Sequence, residues 1–266
     1  MVEAGPPDGA PVVLLPGWAA SAFTYRHQLP VLGAAGYRAA AVDLKGLGFS
    51  DKPTGRREYT LEAMVRHVDE ILDAVASRPA VIVGQSMAGP LAVELALSGR
   101  RAVPALVLVS PVGIGVVPFI RLAQLLTPRA LDPIAPHLVR RPLVRAGLGL
   151  AYGRWSRISE DVVAEFWAPA QFPDFGRALR ALVHDFDWSE MPEERLRALT
   201  VPTLVIRGTR DRLVRGPPRR PVRGLSSAAL VVVDDAGHAA NEECPEPANA
   251  ALLQFLATAR PPDRPR

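Results

Sequence analysis

Val81-Ile82-Val83-Gly84-Gln85-Ser86-Met87-Ala88-Gly89 runs from an unbroken apolar stretch into the beginning of a helical pattern. A short apolar run bounded by glycine reads as a strand covered on both faces, and Ala88 to Leu97, followed by Gly99, reads as a helix. Ser86 therefore falls at a sharp turn between strand and helix. Such a turn brings the two elements close together, so small residues are required two positions either side of the serine, and Gly84 and Ala88 supply them. Pro90 lies in the first helical turn, where its missing N–H costs nothing. A glycine-any-serine-any-small pattern occurs by chance in roughly one chain in five of this length, and a serine there can simply cap the helix. The rest of the chain decides between the two readings.

Working outward, apolar runs bounded by turn residues recur at Val12–Leu15, Arg38–Val42, Ala80–Val83, Ala105–Val109, Thr203–Ile206 and Ala229–Val233, each the length of a strand. Helical patterns lie at Leu61–Ala76 after Thr60, at Ala88–Leu97 and at Pro247–Thr258. Strand alternating with helix predicts an α/β fold with a mainly parallel sheet and flanking helices. Between the fourth and fifth runs the spacing stretches to about ninety residues, where a crossover needs about a dozen. Residues 113–190 hold the apolar segments Phe119–Leu126 and Leu143–Ala151, broken by Pro118, Pro128, Pro133, Pro136 and Pro142, and read as an inserted helical cap. The core is then residues 1–112 and 191–266, with Arg260–Arg266 as a frayed tail. Proline at 217, 218 and 221 weakens any helix between the last two strands. With ten residues ahead of Pro11, a sheet of six strands is expected.

The 266 residues are 48% hydrophobic and 22% charged, which suits one globular domain with a large core. Met1 to Asp8 has neither a basic nor an apolar region of the secretory kind, and no apolar stretch is long enough to span a bilayer. A single cysteine, Cys244, excludes an internal disulfide framework and a multi-cysteine zinc site, so a cytoplasmic location is the default expectation, with no membrane partner. The net charge of +4 comes from an arginine-rich chain. Its local concentration at Arg207, Arg210, Arg212, Arg215, Arg219, Arg220 and Arg223 reads as a solvated face, with an anion-facing patch as the alternative. No aromatic pattern or motif accompanies it, so no nucleic-acid partner is expected.

A serine hydroxyl needs an adjacent base to become nucleophilic, and the base needs a carboxylate to fix its tautomer. Asp211 follows the fifth expected strand in Arg207-Gly208-Thr209-Arg210-Asp211, and His238 follows the sixth in Asp234-Asp235-Ala236-Gly237-His238. Both lie beyond strand carboxyl ends, where open α/β sheets build their sites. Asp234 and Asp235 rival Asp211 as the carboxylate. Their closeness to His238 suggests that they end the strand and form its turn.

With these residues the chain resembles the α/β-hydrolase superfamily from Pro11 to about Leu256, and the order serine, aspartate, histidine matches that fold. Leu14-Leu15-Pro16-Gly17-Trp18, Asp43-Leu44-Lys45-Gly46-Leu47-Gly48-Phe49-Ser50 and Gly237-His238 with Glu243-Cys244-Pro245-Glu246 add to the likeness. The resemblance implies Ser86 as nucleophile, His238 as general base, Asp211 as the orienting acid, and the backbone N–H groups of Trp18 and Met87 as an oxyanion hole. Pro16-Gly17 stands where the family commonly has His-Gly, and Ala88 where glycine is customary.

The implied function is hydrolysis of a carboxylic ester, lactone or thioester through an acyl-enzyme, with no cofactor. The substrate would be a small, largely apolar acyl compound. Trp155, Phe166, Trp167, Phe172 and Phe175 in the cap are the candidate pocket residues, each with packing in the cap core as the competing role. Carbon–carbon bond hydrolases and perhydrolases use the same triad, and a non-hydrolytic binding protein or cyclase of this fold is a further alternative. Haloalkane dehalogenases and epoxide hydrolases use an aspartate nucleophile, against which Ser86 argues. An acidic carrier protein is a candidate partner for the arginine-rich stretch. His27, His67, His137 and His184 show no metal-ligand spacing, and Cys244 reads as packing.

Overall fold

The computed structural model describes residues 1–55, 57–131, 139–219, 222–225 and 227–259. The strands β1 (Val2–Ala4), β2 (Ala10–Leu15), β3 (Tyr37–Ala41), β4 (Val81–Gln85), β5 (Leu106–Val109), β6 (Thr203–Gly208) and β7 (Ala229–Val233) form one sheet in the order β1-β3-β2-β4-β5-β6-β7. β1 is antiparallel to β3, and the other neighbours are parallel. The pleat sends successive side chains to opposite faces, so Val12 and Leu14 enter one core cluster and Val13 and Leu15 the other. Both faces are covered, which is why these strands are apolar throughout.

One face is covered by α2 (Leu61–Val75) and α3 (Ala88–Leu97), the other by α1 (Gln28–Ala34) and α10 (Pro245–Thr258). α2 begins where the Thr60 side chain accepts the N–H of Ala63, and Met64, Val68, Ile71 and Leu72 form its buried stripe. Each such side chain contributes roughly 1.5–3 kcal/mol when fully removed from water.

Two elements correct the sequence reading. Val2–Ala4 adds a seventh strand, paired in the register Val2 to Ala41, so the sheet is not confined to six strands. Three edge residues carry too little periodicity to be read. Helix α1, only seven residues long with Pro30 in its first turn, is also absent from the sequence reading. Between β6 and β7 no helix occurs among the described residues.

The long connection from β5 to β6 contains α4 (Pro118–Leu126), α5 (Arg141–Ala151), α6 (Glu160–Trp167), α7 (Phe175–Asp185) and α8 (Glu193–Arg197). Phe175, Leu179 and Leu182 of α7 join the core cluster of the sheet. In contrast, α5 and α6 pack through a small cluster of their own around Leu148, Ile158 and Val163. The short helix α9 (Ala240–Glu243) follows the β7 turn. Arg260–Arg266, His137 and Arg220 lie outside the described residues.

Candidate active site

Ser86 leaves β4 with φ at +52°, a left-handed conformation that L-residues rarely adopt. Hydrogen bonds hold it there: its N–H donates to the Val109 carbonyl at 2.9 Å, and its carbonyl accepts from Gly89 at 2.9 Å and Val112 at 3.1 Å. The strand and α3 approach so closely that a Cβ on Gly84 would stand 2.7 Å from the Ala88 carbonyl oxygen. The requirement for a small residue at that position is therefore steric.

Asp211 and His238 emerge from the ends of β6 and β7, beside one another. Asp211 Oδ1 accepts the N–H groups of Leu213 at 2.9 Å and Val214 at 3.0 Å, while Oδ2 lies 3.0 Å from His238 Nδ1. The two side chains are 3% and 7% exposed. Burial pushes the Asp211 carboxyl up, but the His238 charge and hydrogen bond, with the two backbone N–H groups, hold it below the ordinary value. An ionised carboxylate can only accept, so in the neutral imidazole Nδ1 carries the proton and Nε2 has the lone pair.

Asp235 and Asp234 point elsewhere. Asp235 meets Arg154, Arg210 at 2.7 Å and Arg157 at 3.3 Å, and Asp234 meets Arg219. The hydrogen bond from Arg154 holds the Asp235 carboxyl low. Arg207 is buried and donates to the Pro217 carbonyl at 3.2 Å, so three members of the arginine-rich stretch are engaged within the chain.

Ser86 and His238 line one cavity of about 440 Å³, together with Trp18 and Gln85. The Ser86 hydroxyl makes no hydrogen bond with a described residue, and neither do the N–H groups of Trp18 and Met87. Gln85 Oε1 accepts the Gly17 N–H at 3.1 Å, tying the loop that carries Trp18 to the end of β4. The Trp18 ring is fixed by its Nε1–H to the Leu179 carbonyl at 3.1 Å.

Residues 12–251 match the model of the alpha/beta hydrolase family. The chain belongs to that family. A relative named as a carbamate hydrolase, RutD of Variovorax paradoxus, is 31% identical over 98% of this chain and 97% of its own. A haloalkane dehalogenase of Mycobacterium marinum is 32% identical over 65% of this chain and 55% of its own. Among solved structures, the epoxide hydrolase CorEH superposes with a TM-score of 0.81 at 23% identity, over 97% of this chain and 94% of that one, a likeness of fold alone. Membership of this family makes the chain a hydrolase.

In this α/β hydrolase the expected pocket residues divide. Phe166 and Phe175 line the cavity. Trp155, Trp167 and Phe172 do not, which corrects the sequence reading. Trp155, 53% exposed, covers Gly149; Trp167 packs against the main core; Phe172, 47% exposed, stands edge-on to Phe49 with Lys52 over its ring. The aromatic lining comes instead from Phe119, Trp188 and Tyr152 with the Trp18 ring. Helical spacing gives no rule for which face of an inserted helix meets the cavity.

The histidine loop has supports that sequence reasoning missed. The His238 N–H donates to the Ala151 carbonyl at 2.7 Å, and Glu243 accepts the N–H groups of Gly237 at 2.7 Å and Gly153 at 2.8 Å. The contact is backbone to backbone: a Cβ on Gly237 would stand 2.3 Å from the Gly153 nitrogen. The signal was present in Gly237-His238 and the following Glu243-Cys244-Pro245, whose acid had no assigned task. Neighbouring Glu242 is fully buried, pushed up by that burial, and meets Arg26 at 2.6 Å and the Tyr152 hydroxyl at 3.2 Å on one wall of the cavity. Among the described residues no group of three or more His, Cys, Asp or Glu has a metal-binding arrangement. His67 Nε2 accepts the Lys45 N–H, His184 meets the Thr127 carbonyl, and Cys244 is half-buried with its thiol pushed up by burial.

Proposed function

We propose that this α/β hydrolase cleaves a carboxylic ester, lactone or thioester bearing an apolar acyl group, with Ser86 as nucleophile, His238 as general base and Asp211 as the acid that orients it. What carries the reading is the 3.0 Å contact between Asp211 Oδ2 and His238 Nδ1 at the wall of a cavity that Ser86 also lines. The ionised carboxylate fixes the tautomer, leaving Nε2 to take the Ser86 proton as Oγ attacks the acyl carbon. The N–H groups of Trp18 and Met87 are the donors assigned to the oxyanion of the tetrahedral intermediate. Collapse breaks the bond to the leaving group, which takes the proton from His238. Water, deprotonated by the same imidazole, then attacks the acyl carbon, and the acid leaves as Ser86 Oγ takes the proton back from His238. The contact between hydroxyl and imidazole is expected to tighten with substrate bound, as such contacts do.

The apolar walls of the cavity favour a hydrocarbon-rich acyl group. Carbamates, suggested by the name of the Variovorax relative, offer a carbonyl open to the same attack, but a small polar one would leave the aromatic walls unfilled. Residues 113–190 act in this scheme as a cap, since α4, α5, α6 and α7 each contribute to the cavity wall.

Intact-mass measurement of a fluorophosphonate adduct, followed by kcat/KM over graded esters, lactones and thioesters, tests the proposal. One adduct on the wild type, none on Ser86→Ala, and turnover that rises with apolar acyl size are expected. Absence of any adduct, or an adduct that survives Ser86→Ala, overturns it.

A further inference from the structure

The helices α4 and α5 carry an unusual surface. In α4 only Ile120 is buried. Leu122, Leu125 and Leu126 on α4, with Leu143 and Leu150 on α5, are each more than half exposed, Leu125 reaching 76%. Scattered exposed leucines are ordinary, but five on two helices that both line one cavity are not. Leu143 and Leu150 line the cavity as well, so the apolar surface runs inward from solvent toward Ser86.

Charge completes the picture. Pro118 to Ala151 contains Arg121, Arg129, Arg140, Arg141 and Arg145, no lysine, and Asp132 as its one acidic residue. Asp185 meets Arg129 at 2.9 Å, and Glu160 is shared between Arg141 and Arg145, so three of these arginines face two carboxylates. Apolar side chains beside arginines on helices too short to cross a bilayer are the make-up of an interfacial surface. The leucines enter the acyl boundary, and the guanidinium groups stay at the level of anionic headgroups.

We propose that the exposed leucines and arginines of α4 and α5 dock on an anionic lipid surface. No described helix is long and apolar enough to cross a membrane, so the contact is peripheral. An acidic protein partner would satisfy the arginines and leave the leucines in water. A second copy of this cationic face would set like charges against each other.

The purified full chain is sedimented with vesicles of phosphatidylcholine alone and of phosphatidylcholine with about one third phosphatidylglycerol, at low salt and at about 0.5 M salt, where surface attraction is screened. At least about tenfold more binding to the anionic vesicles is expected, weakened by salt. The double variant Leu125→Glu, Leu126→Glu should lose most of this binding at low salt while keeping the wild-type melting temperature and fluorophosphonate reactivity. Arg121→Glu should weaken binding several-fold. Equal or absent binding to the two vesicle types overturns the proposal. So does salt-sensitive binding that the leucine substitutions leave unchanged, which points to an acidic protein partner, or a dimer in solution that those substitutions dissociate. Vesicle binding is read without turnover, so its failure is separable from failure of the hydrolase reading.

Discussion

At Ser86 the backbone is held at φ +52° by three hydrogen bonds, a strain that costs about 1–3 kcal/mol and presents the hydroxyl to the cavity. Two substitutions separate strain from chemistry. Ser86→Ala is expected to fold and to lose turnover by about 10⁴-fold or more, because the members of such a unit act together. Ser86→Gly should be equally inactive yet more stable by up to about 1 kcal/mol, since glycine adopts positive φ freely. Measured kcat and urea midpoints for both variants decide the matter, and a Gly variant less stable than the Ala variant would mean that the turn is unstrained. The carboxylate has its own test. Asp211→Asn should cost turnover strongly by stranding His238 in the wrong tautomer, while Asp235→Asn, which loses only arginine partners, should cost about tenfold or less. The reverse ranking in kcat would transfer the role to Asp235. Serine, aspartate and histidine were legible in the sequence because each sits just past a strand end that its own apolar run announces.

Elements explain what was not legible. The histidine loop is anchored by Ala151 and Gly153, some ninety residues away in the chain, through carbonyl and carboxylate contacts that leave no local pattern. Removing the Glu243 carboxylate by Glu243→Ala strands two buried N–H donors at about 1–3 kcal/mol each. The melting temperature should fall by several degrees and kcat with it, as His238 loses its seat. A drop in stability with kcat intact would show that the loop holds itself. On α2, burial first and then the Lys45 charge hold the His67 pKa below the ordinary value. Folding thus favours the neutral ring, the unfolded chain takes up the proton more readily, and stability falls as pH drops below about 6.5. Urea midpoints from pH 7.5 to 5 should decline less steeply in His67→Gln than in the wild type. Strands β2 to β6 were readable from largely buried apolar runs, and the edge strand β7 from its apolar run alone. β1 was not, because three residues become a strand only by pairing with β3.

Taken whole, the molecule sets a sheet whose strand ends carry Ser86, Asp211 and His238 against the helices that connect β5 to β6 and line the cavity above them. The two parts are joined by α7, which packs on the sheet and also lines the cavity. The length and broken apolar segments of residues 113–190 announced that helices lie between β5 and β6. They did not give the inward face, because which side of a helix meets the cavity is settled by packing against elements far away in the chain. That distinction yields a comparison between two aromatic residues from this same connection. Phe119 lines the cavity and stands 6.0 Å from the Trp18 ring, whereas Trp167 packs against the main core. Phe119→Ala should enlarge the acyl space, raising kcat/KM for bulky acyl esters relative to short ones by about tenfold, the scale on which one or two methylene groups are discriminated in an apolar pocket. Trp167→Ala should instead cost stability by about 1–3 kcal/mol, as contacts of a half-buried ring with the core are lost, with no change in the ranking of substrates. Measuring Tm beside relative kcat/KM for a short and a bulky ester separates the two effects. If Phe119→Ala lowered every substrate uniformly, the ring would be holding the Trp18 loop in place for the oxyanion and would not be sizing the acyl group.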